Sequence, residues 1–170
     1  MSRKRKQAYP SFYGRNAARN AERRYMKEKI TRSEKMDQKR METVEIISKH
    51  IQLALLENFG VPEEKIRECA EEVNITAQWY MGIKEIQGEG RAKILLEEKI
   101  RDFLPDSIWV PIEGMERKRT EELAAIREAT ETATRFWCAA IYKTLGYGKE
   151  ELTAVIAMAK ENYRQGAAGK

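Results

Sequence analysis

The 170 residues hold only one histidine, two cysteines and four prolines, residue types that serve catalysis, hold metals or break helices. Each shortage excludes something. His50 stands beside Lys49 with no Cys or Asp nearby, so it reads as a lone surface or core histidine rather than a base or ligand. Cys69 and Cys138 lack the close spacing of a metal knuckle or redox motif and lie in apolar helical patterns, so two buried thiols are expected in place of a disulfide. One His and two separated Cys cannot complete a four-ligand zinc set, and the Glu-x-x-His of a di-iron bundle is absent. Long apolar runs are missing too: Ile46-Ile47 and Leu53 to Leu56 fall far short of the roughly 20 residues of a membrane span. No apolar segment or cleavage site follows the basic start Met1 to Lys6, which argues against a secretory signal and for a cytoplasmic chain.

What is present points to helices around one core. Hydrophobic residues make up 42% and charged residues 35% of the chain, a balance that suits a single all-α domain. The net charge of +5 is unevenly placed. Residues 1–40 hold 14 Lys/Arg against 4 Asp/Glu, leaving 18 against 23 for the rest, so a basic segment is attached to a mildly acidic body.

Ser2 to Gly14 mixes basic residues with Tyr9, Phe12 and Tyr13 around Pro10 and shows no helical periodicity, so residues 1–14 read as an extended arm and 15–170 as one helical domain. From Arg15 to Phe59 strong helix formers dominate, with Thr31 and Glu34 in capping-box spacing as a point where the helix can divide. The stripe Val44, Ile47, Ile51, Ala54, Leu55 and Phe59 marks where burial begins. Gly60 and Pro62 predict a helix cap and a sharp turn. The reading is then a first hairpin over about 41–87, a connector helix over 91–104, a loop over 108–112 pinned by Trp109, and a second hairpin over about 113–165 bent at Leu145-Gly146-Tyr147-Gly148.

A shift of 86 positions sets Ile51, Ala54, Leu55, Phe59, Gly60 and Ile66 over Trp137, Ala140, Ile141, Leu145, Gly146 and Leu152, the mark of a possible internal repeat. Two amphipathic hairpins must cover one another, which gives a helical bundle.

Leu145-Gly146-Tyr147-Gly148-Lys149 with Leu152 resembles a helix-F-G-F-G-K-x-R-L-helix element of small helical proteins from phages and prophages of Gram-positive bacteria, often preceded by an arm rich in Arg, Lys and Tyr. The resemblance covers about thirty residues and implies an accessory or regulatory protein of a mobile element, acting inside a bacterial host cell. Glu150 and Glu151 stand where basic residues are usual, which argues against an anion-binding turn here.

Three functional readings remain at this level. In the first, the protein is a non-catalytic adaptor or regulator that docks on a protein or nucleoprotein, an inhibitor of a host defence complex included. Its nucleic-acid contacts would come from Arg3, Lys4, Arg5 and Lys6 on phosphates, Tyr9, Phe12 and Tyr13 stacking on bases, and Arg15, Arg19, Arg23, Arg24 and Lys27 along the helix. In the second it is an assembly protein that pairs with itself through helices such as Arg15 to Phe59. The third is a carboxylate-metal enzyme built on Glu63, Glu64, Glu68, Glu71 and Glu72, although their helical spacing is that of a solvated face. Gly88-Glu89-Gly90-Arg91 reads as an interhelical link, since no phosphate-binding motif surrounds it. No cofactor, membrane or small-molecule substrate is indicated.

Overall fold

The computed structural model describes residues 12–111 and 120–168, with the side chains of 12–18 and 167–168 left aside. It holds five α-helices, α1 (Phe12–Leu53), α2 (Glu63–Gln87), α3 (Glu89–Ile100), α4 (Thr120–Leu145) and α5 (Lys149–Ala168), with a π-helical turn at Ala54–Asn58. No strand occurs among the described residues, as expected of an all-α helical bundle. The chain forms two units, one ending at Gln38 and the other running from Lys39 to Lys170.

In the first unit α1 has begun by Phe12, so Phe12, Tyr13 and Gly14 belong to the helix rather than to an extended arm. Nor does the helix divide at Thr31. No glycine or proline interrupts residues 15–53, and the Thr31 hydroxyl donates to the Lys27 carbonyl at 2.9 Å, bonding back along the helix instead of capping a new one.

The core belongs to the second unit. Ile47, Ile51, Ala54 and Leu55 are buried, and they meet Trp137, Ile141, Leu152 and Val155 in the same cluster. The Trp137 indole N–H, buried with its ring, donates to Ser48 Oγ at 3.0 Å and so ties α4 to α1. Buried Thr130 satisfies its hydroxyl on the Ile126 carbonyl at 2.8 Å. The hairpin corners form as the glycines require: Gly60 and Gly146 take φ of +62° and +72°, a left-handed conformation that a Cβ disfavours. Val61 N–H then bonds the Leu55 carbonyl at 2.9 Å and Gly146 N–H the Tyr142 carbonyl at 2.9 Å, closing the two helix ends. Pro62 caps α2 from outside the helix, with φ −60° and ψ 144°, one position earlier than a first-turn proline.

The 86-residue shift carries α2 onto α5 and the π-helical turn onto the end of α4. It also exchanges two packings, because α2 lies chiefly on α4 and α5 lies on the π-helical turn. The opening bonds of the two second helices correspond as well: Ile66 N–H to the Pro62 carbonyl at 3.1 Å, Leu152 N–H to the Gly148 carbonyl at 3.0 Å. At one corner the copies differ. Gly148 N–H donates to Glu151 Oε2 at 3.0 Å, half of a capping box, whereas Pro62 has no N–H to give.

Trp109 is buried and holds its loop, its ring 5.1 Å from Tyr163 and 6.3 Å from His50 between centroids. The connector α3 starts at Glu89 and ends at Ile100, displaced from the expected 91–104, because Gly88 alone makes the corner after α2 with φ +86°.

Candidate nucleic-acid interface

Of the twelve residues expected to contact nucleic acid, Arg3, Lys4, Arg5, Lys6 and Tyr9 lie outside the described residues. Phe12, Tyr13 and Arg15 fall on the first turns of α1, with the backbone alone described. Arg19, Arg23, Arg24 and Lys27 follow on the same helix, all exposed.

The helix forms here because Ala, Arg, Glu, Met and Lys fill it, each losing little side-chain freedom in a helix. Arg19, Arg23 and Lys27 recur every four residues and line one face with Met26, Ile30 and the carboxylates Glu22 and Glu34. Four residues rise about 6 Å along the axis, so the face offers one cation per that distance. None of Arg19, Arg23, Arg24 and Lys27 is engaged in an ion pair among the described residues. Every side chain from Arg19 to Lys35 is exposed, including Tyr25 at 63%, Met26 at 50% and Ile30 at 55%. Cations beside uncovered aromatic and aliphatic groups can neutralise phosphates and lie against bases or sugars.

The other candidates are tied up in structure. Glu89 opens α3 and binds Lys93 Nζ at 2.7 Å and Lys84 Nζ at 3.2 Å, and these two cations lower its carboxyl to about 2. A carboxylate at that helix start repels an anion, so the Gly88 to Arg91 corner acts as a link and not as a phosphate cradle. Glu72 departs from the solvated face expected of its cluster: its side chain is 13% exposed and accepts from Lys143 Nζ at 2.8 Å, joining α2 to α4. Among the described residues no group of three or more His, Cys, Asp or Glu is placed to share a metal ion.

His50 leans edge-on toward Tyr163 with centroids 5.4 Å apart, and its Nδ1 has no hydrogen-bond partner. Burial, with Lys49 adding repulsion, holds its imidazole below the ordinary 6.5, so it is neutral at pH 7. Both cysteines are free and buried, and burial pushes the Cys138 thiol up to about 12, well out of reach as a nucleophile. A shallow groove of about 630 Å³ between α1 and α2, lined by Lys49, Leu53, Leu56, Ile66 and Arg67, mixes charge of both signs with apolar floor. Sequence reasoning did not find it, since its walls meet only across the hairpin.

No helix of the described residues is long and apolar enough to cross a membrane. Compared with known proteins at a significant level, the chain matches no family model, no curated protein and no solved structure.

Proposed function

We propose that the protein is a non-catalytic adaptor or regulator that contacts nucleic acid, alone or within a nucleoprotein, through α1 up to Lys35 and the basic residues before it. The resemblance of the Gly146 corner suggests a phage or prophage setting, with action on a host complex as the regulatory outcome. The observation that carries the reading is the stretch Arg19 to Lys35, which buries no side chain yet holds seven Lys/Arg against three Glu. A helix without a buried face contributes little to its own fold. Arg19, Arg23, Arg24 and Lys27, with the uncovered Tyr25, Met26 and Ile30, are at the disposal of a partner. A polyanion fits that surface, because Arg19, Arg23 and Lys27 recur at regular spacing along one face, with the Tyr25 ring exposed elsewhere on the same turns.

The test is binding of labelled single- and double-stranded DNA and RNA across a salt series. Affinity falls with salt, and replacing Arg19, Arg23 and Lys27 by Gln lowers the log–log slope by roughly 2–3. Deleting residues 1–14 weakens binding further and leaves the melting temperature unchanged. Affinity that ignores salt, or that survives both changes, refutes the reading.

A further inference from the structure

The cations of α1 from Arg19 to Thr31 are spread round the helix rather than drawn into one line. At about 100° per residue, Arg19, Arg23, Lys27 and Arg24 follow in that order across an arc of about 140°. Arg19 and Arg24 form its margins; Lys27, Asn20 and Thr31 lie between. Glu22 and Glu28 fall outside the arc, one beyond each margin, and Glu34 enters it only after Thr31. All of these side chains are exposed, and Tyr25, Met26 and Ile30 are uncovered too, so no described residue covers this stretch on any side.

That layout separates two ways of lying against a polyanion. A strand laid along the row Arg19, Arg23 and Lys27 leaves out Arg24, which stands about 100° round from Arg23. Arg19 and Arg24 are both met where phosphates rise on two sides of the helix at once, as the walls of a groove do. A helix is about 10–12 Å thick with its side chains, and the major groove of B-DNA, about 12 Å wide, admits it, whereas the minor groove of about 6 Å does not. The major groove of duplex RNA is too deep and narrow. We infer that Arg19 to Thr31 seats in the major groove of duplex DNA, an inference that rests on the nucleic-acid contact proposed above. Arg19 and Arg23 then meet the phosphates of one strand and Arg24 those of the other. Asn20 and Lys27 turn to the base edges, where an amide pairs with adenine and an amine with guanine. The seat runs about 18 Å, just over three turns. Glu34, the first carboxylate inside the arc, repels phosphate and ends it.

Binding of the full chain to a short DNA duplex, to an RNA duplex of the same sequence and to the separate DNA and RNA strands tests this. At equal salt the DNA duplex binds at least about 10-fold tighter than the others. Arg23→Gln and Arg24→Gln each lower the log–log salt slope on that duplex by about 1, one for each margin of the arc. Both side chains are exposed, so the circular dichroism spectrum stays wild type. On the DNA duplex saturated with protein, dimethyl sulfate methylates guanine N7, in the major groove, less than in free DNA, and adenine N3, in the minor groove, as before. A wild-type slope for Arg24→Gln, unprotected guanine N7, or RNA or single strands bound as tightly as the DNA duplex overturns the groove seat and leaves the nucleic-acid reading standing. Failure to bind any of these nucleic acids overturns both.

Discussion

Two stretches of helix of the same length, Arg19 to Lys35 on α1 and Ala125 to Ile141 on α4, divide the properties of the molecule between them. The first buries no side chain, and the second buries twelve of its seventeen, with Trp137 and Ile141 among the most enclosed. Their charges differ as sharply: seven basic against three acidic in the first, two against two in the second. Both sequences favour helix, so propensity does not separate them. What separates them is whether an apolar stripe exists to be covered. Stability is concentrated where burial is, and surface chemistry is left free where it is not.

The contrast breaks most easily where burial is deepest. Trp137→Ala removes a buried ring and its bond to Ser48, and costs about 3–5 kcal/mol of unfolding free energy. Tyr25→Ala in the exposed stretch costs within about 0.5 kcal/mol, and a denaturant melt of the pair checks both. A large loss from Tyr25→Ala would mean that the first stretch is not bare. Next come the corners. Gly60→Ala and Gly146→Ala each force a Cβ into left-handed backbone, at about 1–2 kcal/mol. Equal losses would show that the two hairpins are mechanically alike; a loss at one alone would separate them.

Smaller still is the pH effect of His50. Its folded-state imidazole titrates below 6.5, so the stability it permits is whole above pH 6.5 and declines as pH falls below that value. His50→Phe keeps the ring against Tyr163 and Trp109 and flattens this part of the pH–stability curve, read from melting temperatures between pH 7 and 5. The smallest effect is at Glu89. Its carboxylate is partly exposed, and Glu89→Gln costs less than about 1 kcal/mol at pH 7. Because the folded carboxyl lies near 2 and the free one near 4.5, the difference between wild type and variant shrinks as pH falls from 4.5 toward 2.

Much of the fold was legible because local signals agreed with one another. Gly60 and Gly146 close helices whose stripes run into them, and Trp109 sits in the one apolar loop, so the hairpins and the pinned loop follow from spacing alone. The continuity of α1 through Thr31 was not legible, since a capping box and a back-bonded threonine share the same residues. Nor was the π-helical turn, where Phe59 N–H reaches the Ala54 carbonyl at 3.2 Å in a segment that packs on α5. Glu72 looked solvated because its partner Lys143 is 71 residues away. The ring cluster of His50, Trp109 and Tyr163 is likewise assembled from three distant segments. For the candidate interface, charge and spacing identified Arg19, Arg23, Arg24 and Lys27. Structure added the uncovered Met26 and Ile30 beside them.

Hydrogen exchange of the full chain, with and without a short oligonucleotide, addresses the contrast between the two stretches most directly. In the free protein amides from Arg19 to Lys35 exchange within seconds, while those from Ala125 to Ile141 are protected to near the global unfolding free energy. On adding the oligonucleotide, protection rises across Arg19 to Lys35 and stays as it was in α4. Equal protection of the two stretches in the free protein, or no change in the first when the oligonucleotide is present, would contradict the account.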